Sequence, residues 1–203
     1  MFHRGGAVLI EGAERVSLSD SGIHDVGGDA FVVSVYTRQV SLRGNHIWRA
    51  GASAIAFVGR AEAVRSPLFE YHQSQPVAAI DRTPGPKGER YPADSDASDN
   101  LIHDIGLLEK QSAGVQIAMA ARITVSHNSI YRVPRAGINI GDGAWGGHRI
   151  ADNDVFDTVL ETGDHGAFNA WGRDRYWAPD REEMNRRVAE HPEPPLVGAA
   201  RAH

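Results

Sequence analysis

Apolar residues along this chain alternate with polar ones in short bursts, two apart: Val16 and Leu18, Phe31 and Val33, Val40 and Leu42, Ile55 and Phe57, Val115 and Ile117, Ile123 and Val125, Ile138 and Ile140. A period of two marks a strand with one buried face. Between these bursts stands a recurring string of Asn, one variable residue, then Ile or Val: Asn45 with Ile47, Asn100 with Ile102, Asn128 with Ile130, Asn153 with Val155. "SDSGIHDVG" is an earlier copy with Ser21 in the Asn position, followed by Ile23. The apolar anchors lie 24, 55, 28 and 25 residues apart. The long interval is one coil plus an insertion of roughly 30 residues, seen as residues 60–97, whose "DRTPGPKGERYPADSD" is loop composition.

Short strands at this period, without long amphipathic helices between them, predict an all-β fold. The architecture expected is a right-handed parallel β-helix, a pectate-lyase-like solenoid of about five coils. A β-sandwich with fortuitous spacing is the alternative, and a leucine-rich horseshoe fails for want of its Leu framework. Asn at a fixed register is expected to take the left-handed bend and to hydrogen-bond from coil to coil. The coils are assigned to residues 1–177, and residues 178–203 to one short helix and a loose tail. In "APDREEMNRRVAEH", Pro179 sits near a helix start, and Met184 and Val188, four apart, form the apolar side.

The repeat serves as a ruler. From anchor to next strand is ten positions in three coils (Ser21 to Phe31, Asn45 to Ile55, Asn128 to Ile138) and fifteen in two (Asn100 to Val115, Asn153 to Phe168). Each long coil carries a five-residue insertion in the same turn. One supplies Glu109 and Lys110, the other Glu161, Asp164 and His165. Solenoids commonly gather such insertions on a binding face. The following outward positions hold Gln116, Asn139 and Asn169, with Arg135 in the intervening coil, Asp142 after its strand, and Trp145, Trp171 and Arg173 nearby. Carboxylates, amides, Arg and Trp along one face suit a polysaccharide, whose hydroxyls need polar partners and whose C–H faces pack on aromatic rings. Asp164, Glu161 and Asp142 are the candidate catalytic carboxylates. Glu109, Lys110, Gln116, Arg135, Asn139, Trp145, His165, Asn169, Trp171 and Arg173 are candidates for holding substrate.

Composition narrows the field. A net charge of −5 without a basic run disfavours nucleic acid. No apolar run approaches the ~20 residues of a membrane span, and the start lacks the apolar core of a signal peptide. Zero cysteines exclude thiolate ligands, and no His pair has a metal-ligand spacing in sequence. No metal or cofactor is expected, and the oligomeric state is open.

The strings "LIHDIGLLEKQSAGVQI", "RVPRAGINIGDGAWGGH" and "FDTVLETGDHGAFNAWGRDRYW" resemble right-handed β-helix proteins related to glycoside hydrolase family 141, over most of the chain. Members of that family are retaining α-L-fucosidases and xylanases of plant polysaccharides. The resemblance implies a carbohydrate-active protein and favours Asp164 as one of two catalytic carboxylates. Family members are longer on both sides and continue with an Asp-rich coil after the segment matching "DREEMNRRVAEH". A truncated member is therefore the expectation, with the second carboxylate expected on a missing coil, and secretion or periplasmic export expected for the full-length protein. A polysaccharide lyase or epimerase working through Lys110, His165 or Arg135, and a non-catalytic carbohydrate-binding solenoid, are the rival readings.

Overall fold

The computed structural model describes residues 5–142, 145–171 and 176–191. The inward positions of the repeat stack into parallel ladders. In the larger sheet, of eleven strands, β1 (Gly6–Glu14), β4 (Asp29–Arg38), β7 (Ile55–Val58), β10 (Ala113–Ala118), β13 (Ala136–Ile140) and β16 (Phe168–Ala170) form six successive rungs. Phe31 faces Ile55, Ile55 faces Val115, Val115 faces Ile138, and Ile138 faces Phe168. The same sheet contains β2 (Ser17–Ser19), β5 (Ser41–Arg43), β8 (Pro92–Ser98), β11 (Ala121–Ser126) and β14 (Arg149–Ala151). A second sheet orders β15 (Asp154–Val155), β12 (Ser129–Tyr131), β9 (Leu101–His103), β6 (His46–Ala50) and β3 (Gly22–Val26), and carries the Ile and Val of the recurring string. Every strand pair is parallel, so the fold is a β-solenoid, and its core is the stack of inward Ile, Val, Leu and Phe between the sheets. The rung beyond the five anchored coils is β1, which pairs Val8 with Phe31 and carries no Asn anchor of its own.

The Asn positions form a continuous buried ladder. Asn45 Nδ2 donates to Asn100 Oδ1 (3.1 Å), Asn100 Nδ2 to Asn128 Oδ1 (2.9 Å), and Asn128 Nδ2 to Asn153 Oδ1 (2.9 Å). Each acceptor oxygen also takes the backbone N–H of the preceding rung's Asn (2.9–3.0 Å). The left-handed bend belongs to the residue before: Asp20, Gly44, Asp99, His127 and Asp152 have φ of 53–67°. This corrects the expectation that the Asn itself adopts the bend. Its side chain closes the corner while its neighbour turns it. A second left-handed corner stacks alternating charges, Asp25, Arg49, Asp104, Arg132 and Asp157, with Arg49 Nε on Asp25 (2.5 Å) and Arg132 Nε on Asp104 (2.7 Å).

The insertion leaves the solenoid at Arg60, and β8 resumes the sheet at Pro92, inside the segment assigned to loop from sequence. The loop folds back over small outward residues of the larger sheet. Val32, Ala56, Val58 and Ala118 are buried with Tyr91 and Met119, and Phe69 packs against them. The C-terminal helix α1 (Arg181–Glu190) is capped by Asp180, whose carboxylate accepts the Glu183 N–H (2.8 Å). It docks differently from the expected apolar stripe: Val188 is 51% exposed, and Arg187 is buried instead. The Arg187 guanidinium donates to Gln75 O (3.0 Å) and Trp177 O (3.3 Å), tying the helix to the loop. Of the tail expected to be loose, residues 191–203, all but His191 lie outside the described residues. Among the described residues, no helix is long and apolar enough to cross a membrane.

His148 reports on packing beside β11. Its Nδ1 accepts the Ile123 N–H (3.2 Å), its Nε2 is sealed from solvent without a partner among the described residues, and burial pulls its pKa down to about 4. The folded chain therefore keeps this imidazole neutral where the unfolded chain protonates it, near the ordinary value of about 6.5. Since the unfolded state then binds more protons, stability falls as pH drops from about 6.5 to 4, by ~3 kcal/mol in all. Urea unfolding of the wild type and His148→Gln at both ends of that window checks this. The variant should lose much less stability on acidification.

Candidate functional site

Counting residues places both five-residue insertions in one turn, and the register agrees, because Val115 and Phe168 re-enter the ladder opposite Ile138 despite the extra residues. Each insertion hangs its backbone on the preceding coil. Leu108 and Glu109 N–H donate to Gly51 O (2.9 and 2.8 Å), and Leu160 and Glu161 N–H donate to Val133 O and Pro134 O (3.3 and 3.1 Å). Lys110 Nζ then meets Glu161 Oε1 at 2.8 Å, so the two insertions close over the coil between them. An exposed pair of this kind adds little stability. Its consequence is geometric, since it joins two turns that are two rungs apart. Glu109 faces its own turn, accepting the Gln111 N–H (2.9 Å).

The second insertion also joins another charged group. Arg135, from the intervening coil, donates Nε to Asp164 Oδ1 (3.1 Å) and Nη2 to Oδ2 (3.3 Å), and His165 Nδ1 lies 3.0 Å from the same carboxylate. The Asp164 side chain is 64% exposed, against 20% for Arg135 and 11% for His165, so a carboxylate presented to solvent is held from below by two nearly covered bases. The Arg135 hydrogen bonds and charge, with His165 adding to them, hold the Asp164 carboxyl below the usual aspartate range. His165 has φ of 89° and a solvent-sealed Nε2 without a partner among the described residues.

The outward amides form a ladder running beside this cluster. Asn169 Nδ2 donates to Asn139 Oδ1 (2.9 Å), Asn139 Nδ2 to Gln116 Oε1 (2.9 Å), and Gln116 Nε2 to Ile117 O (3.2 Å). Gln116 and Asn139 are each only 5% exposed, so they build the floor of the face, and Asn169 is its more open end. Trp171 lies across the same floor. A methyl placed on Gly141 would sit 3.3 Å from its ring and 3.5 Å from the Gln116 amide nitrogen, so the indole lies close over the Gly141 backbone.

Asp142 follows β13 with φ of 48°, and its Oδ1 is sealed from solvent. Trp145 sits elsewhere, 5% exposed in the outer apolar cluster, with its ring 4.3 Å from that of Tyr91, and it offers no ring face to a ligand there. Arg173 lies outside the described residues. The structure thus brings together Lys110, Glu161, Arg135, Asp164 and His165, and sets Gln116, Asn139, Asn169 and Trp171 as one floor. Sequence reasoning missed the pairing of each cation with a carboxylate. Among the described residues, no three His, Cys, Asp or Glu side chains gather as metal ligands. Neither a protein-family model nor a curated protein matches the chain.

Proposed function

We propose that this chain is carbohydrate-active, and that it is a glycoside hydrolase acting on a neutral, plant-type polysaccharide along the face above β10, β13 and β16. The observation that carries this is the Lys110–Glu161 bridge, which joins the two insertions, the second of which also carries the Arg135–Asp164–His165 cluster. Glycoside hydrolysis needs one carboxylate that stays ionised and one acid that protonates the leaving oxygen. Asp164, with its proton affinity lowered by Arg135, suits the ionised role of nucleophile or base. The acid then falls to another carboxyl: Asp142, whose Oδ1 is sealed from solvent, suits it better in this chain than Glu161, which already pairs as a carboxylate with Lys110. Asn169 offers hydrogen bonds to hydroxyls, and the exposed part of Trp171 offers a ring to sugar C–H groups. The resemblance to glycoside hydrolase family 141 points the same way, and export from the cell fits a polysaccharide substrate.

Charge speaks against the lyase or epimerase reading. Such enzymes neutralise a uronate carboxylate with a cation, and here Arg135 and Lys110 are each already neutralised by a carboxylate. Incubation of the chain with xylan and, separately, with polygalacturonate tests the proposal. New reducing ends from xylan are expected, without the ultraviolet absorbance of an unsaturated product. Unsaturated product from polygalacturonate reverses the reading to a lyase, and saturable binding without turnover reduces it to a binding solenoid.

A further inference from the structure

The five-stranded sheet carries an ordered row of rings on its outer side. One position past the inward Ile or Val stand His24, Trp48, His103, Tyr131 and Phe156. Ring centroids are 4.2 Å apart for His24 and Trp48, 5.0 Å for His103 and Tyr131, and 4.9 Å for Tyr131 and Phe156. The row opens to 6.5 Å between Trp48 and His103, and His46 reaches into that gap, 4.1 Å from the Trp48 ring and 5.0 Å from the His103 ring. Its Nε2 lies 2.8 Å from His103 Nε2. These two histidines are 57 residues apart in sequence and on adjacent rungs in the fold.

The surroundings settle which nitrogen of His103 carries its proton. Nδ1 is 2.6 Å from Asp104 Oδ2, while Arg132 spans both oxygens of that carboxylate (2.5 and 2.7 Å) with its Nη2 3.4 Å from Nδ1, too long to compete with the carboxylate. A carboxylate only accepts, so Nδ1 donates, and the lone pair of Nε2 points at His46. A histidine whose Nδ1–H is fixed by a carboxylate while its Nε2 is left basic is the outer-shell arrangement of a metal ligand. The separation of the two Nε2 atoms agrees. With metal–nitrogen bonds of about 2.0–2.1 Å, two ligands at a right angle stand ~2.9 Å apart, and two at a tetrahedral angle ~3.3 Å apart. The observed 2.8 Å, a hydrogen-bond distance between the two rings, is close to the right-angle spacing, so an ion replaces the shared proton with little movement of the rings, and right-angled coordination is the preference of Cu²⁺ and Ni²⁺.

We propose that His46 and His103 form a two-imidazole clip for a divalent transition-metal ion with right-angled coordination, Cu²⁺ or Ni²⁺. Both Nε2 atoms bind the ion, the proton that His46 Nε2 shared between the rings moves through solvent to its own Nδ1 so that the ring binds as the neutral Nδ1–H tautomer, and water fills the remaining positions. Asp104 and Arg132 act behind His103 as positioning residues.

The test is titration of the chain, free of any polyhistidine tag, with CuCl₂ by calorimetry. It is done in a His3→Ala background, because a free amino terminus followed by Phe2 and His3 is itself a copper chelate. One saturable equivalent is expected, with affinity at least tenfold weaker in His46→Gln and in His103→Gln and unchanged in His127→Gln. Electron paramagnetic resonance of the copper-loaded His3→Ala chain should show two equatorial imidazole nitrogens, a readout that does not depend on the His46 or His103 variants folding. Absence of a saturable equivalent, its persistence in His46→Gln, or a spectrum without two nitrogen ligands overturns the proposal.

Discussion

Asp164→Asn is expected to lower turnover of a neutral polysaccharide by roughly 10³-fold, within the range that a positioned proton-transfer or nucleophilic carboxylate contributes. The substitution keeps the side-chain shape and one acceptor for Arg135, so the fold should survive and the loss should fall on kcat more than on KM. The environment also predicts a pH signature. Arg135 and His165 hold the Asp164 carboxyl below the usual aspartate range. If the ionised form is the active one, activity persists as pH falls until that lowered pKa is reached. Arg135→Gln removes the largest cause of the depression, so the acid limb of kcat/KM should move to higher pH. Wild-type turnover in Asp164→Asn would remove this residue from the chemistry.

Asn128→Ala should cost about 4 kcal/mol of stability. Asn128 Oδ1 accepts both the Asn100 backbone N–H and its Nδ2 (3.0 and 2.9 Å), while its own Nδ2 donates to Ala97 O (3.0 Å) and Asn153 Oδ1 (2.9 Å). Alanine leaves several buried groups without partners, at about 1–3 kcal/mol for each group stranded. A chain of ordinary stability, about 5–15 kcal/mol, has little left after that loss. Asn153, on the last rung and only half-buried, has no further Asn beyond it to orphan, and Asn153→Ala should cost less than half as much. Urea unfolding of the two variants side by side checks the gradient. Equal effects at both positions contradict a ladder whose central members matter most.

The solenoid was legible because stacking in register forces the same residue type back at the same place in every coil, and Asn–x–Ile records that constraint directly. β1 escaped notice because it pairs through Val8 and Ile10 without an Asn of its own. The pattern points to the bend one residue late, since Asn marks the corner by its side chain while the residue before it turns the backbone. The insertions could be counted, and with them Lys110, Glu161 and Asp164. Burial of Trp145 could not, because it depends on residues 60–91 folding back across the outer face. The Arg187 anchor was hidden in the same way, since its partners, Gln75 O and Trp177 O, are backbone carbonyls that no pattern in α1 foretells. The His46–His103 contact did leave a signal. They stand one and three positions after successive anchors, both outward, and only the stacking of rungs across the long insertion turns that into 2.8 Å.

The central claim is that sugar lies along the floor framed by the two insertions. Titration of the ¹⁵N-labelled chain with xylo-oligosaccharide tests it most directly. Saturable shifts are expected in the side-chain amides of Asn139 and Asn169, the indole N–H of Trp171 and the backbone around Lys110 and Asp164. A titration that leaves these resonances unmoved, or shifts instead the row around Trp48 and Tyr131, contradicts the account.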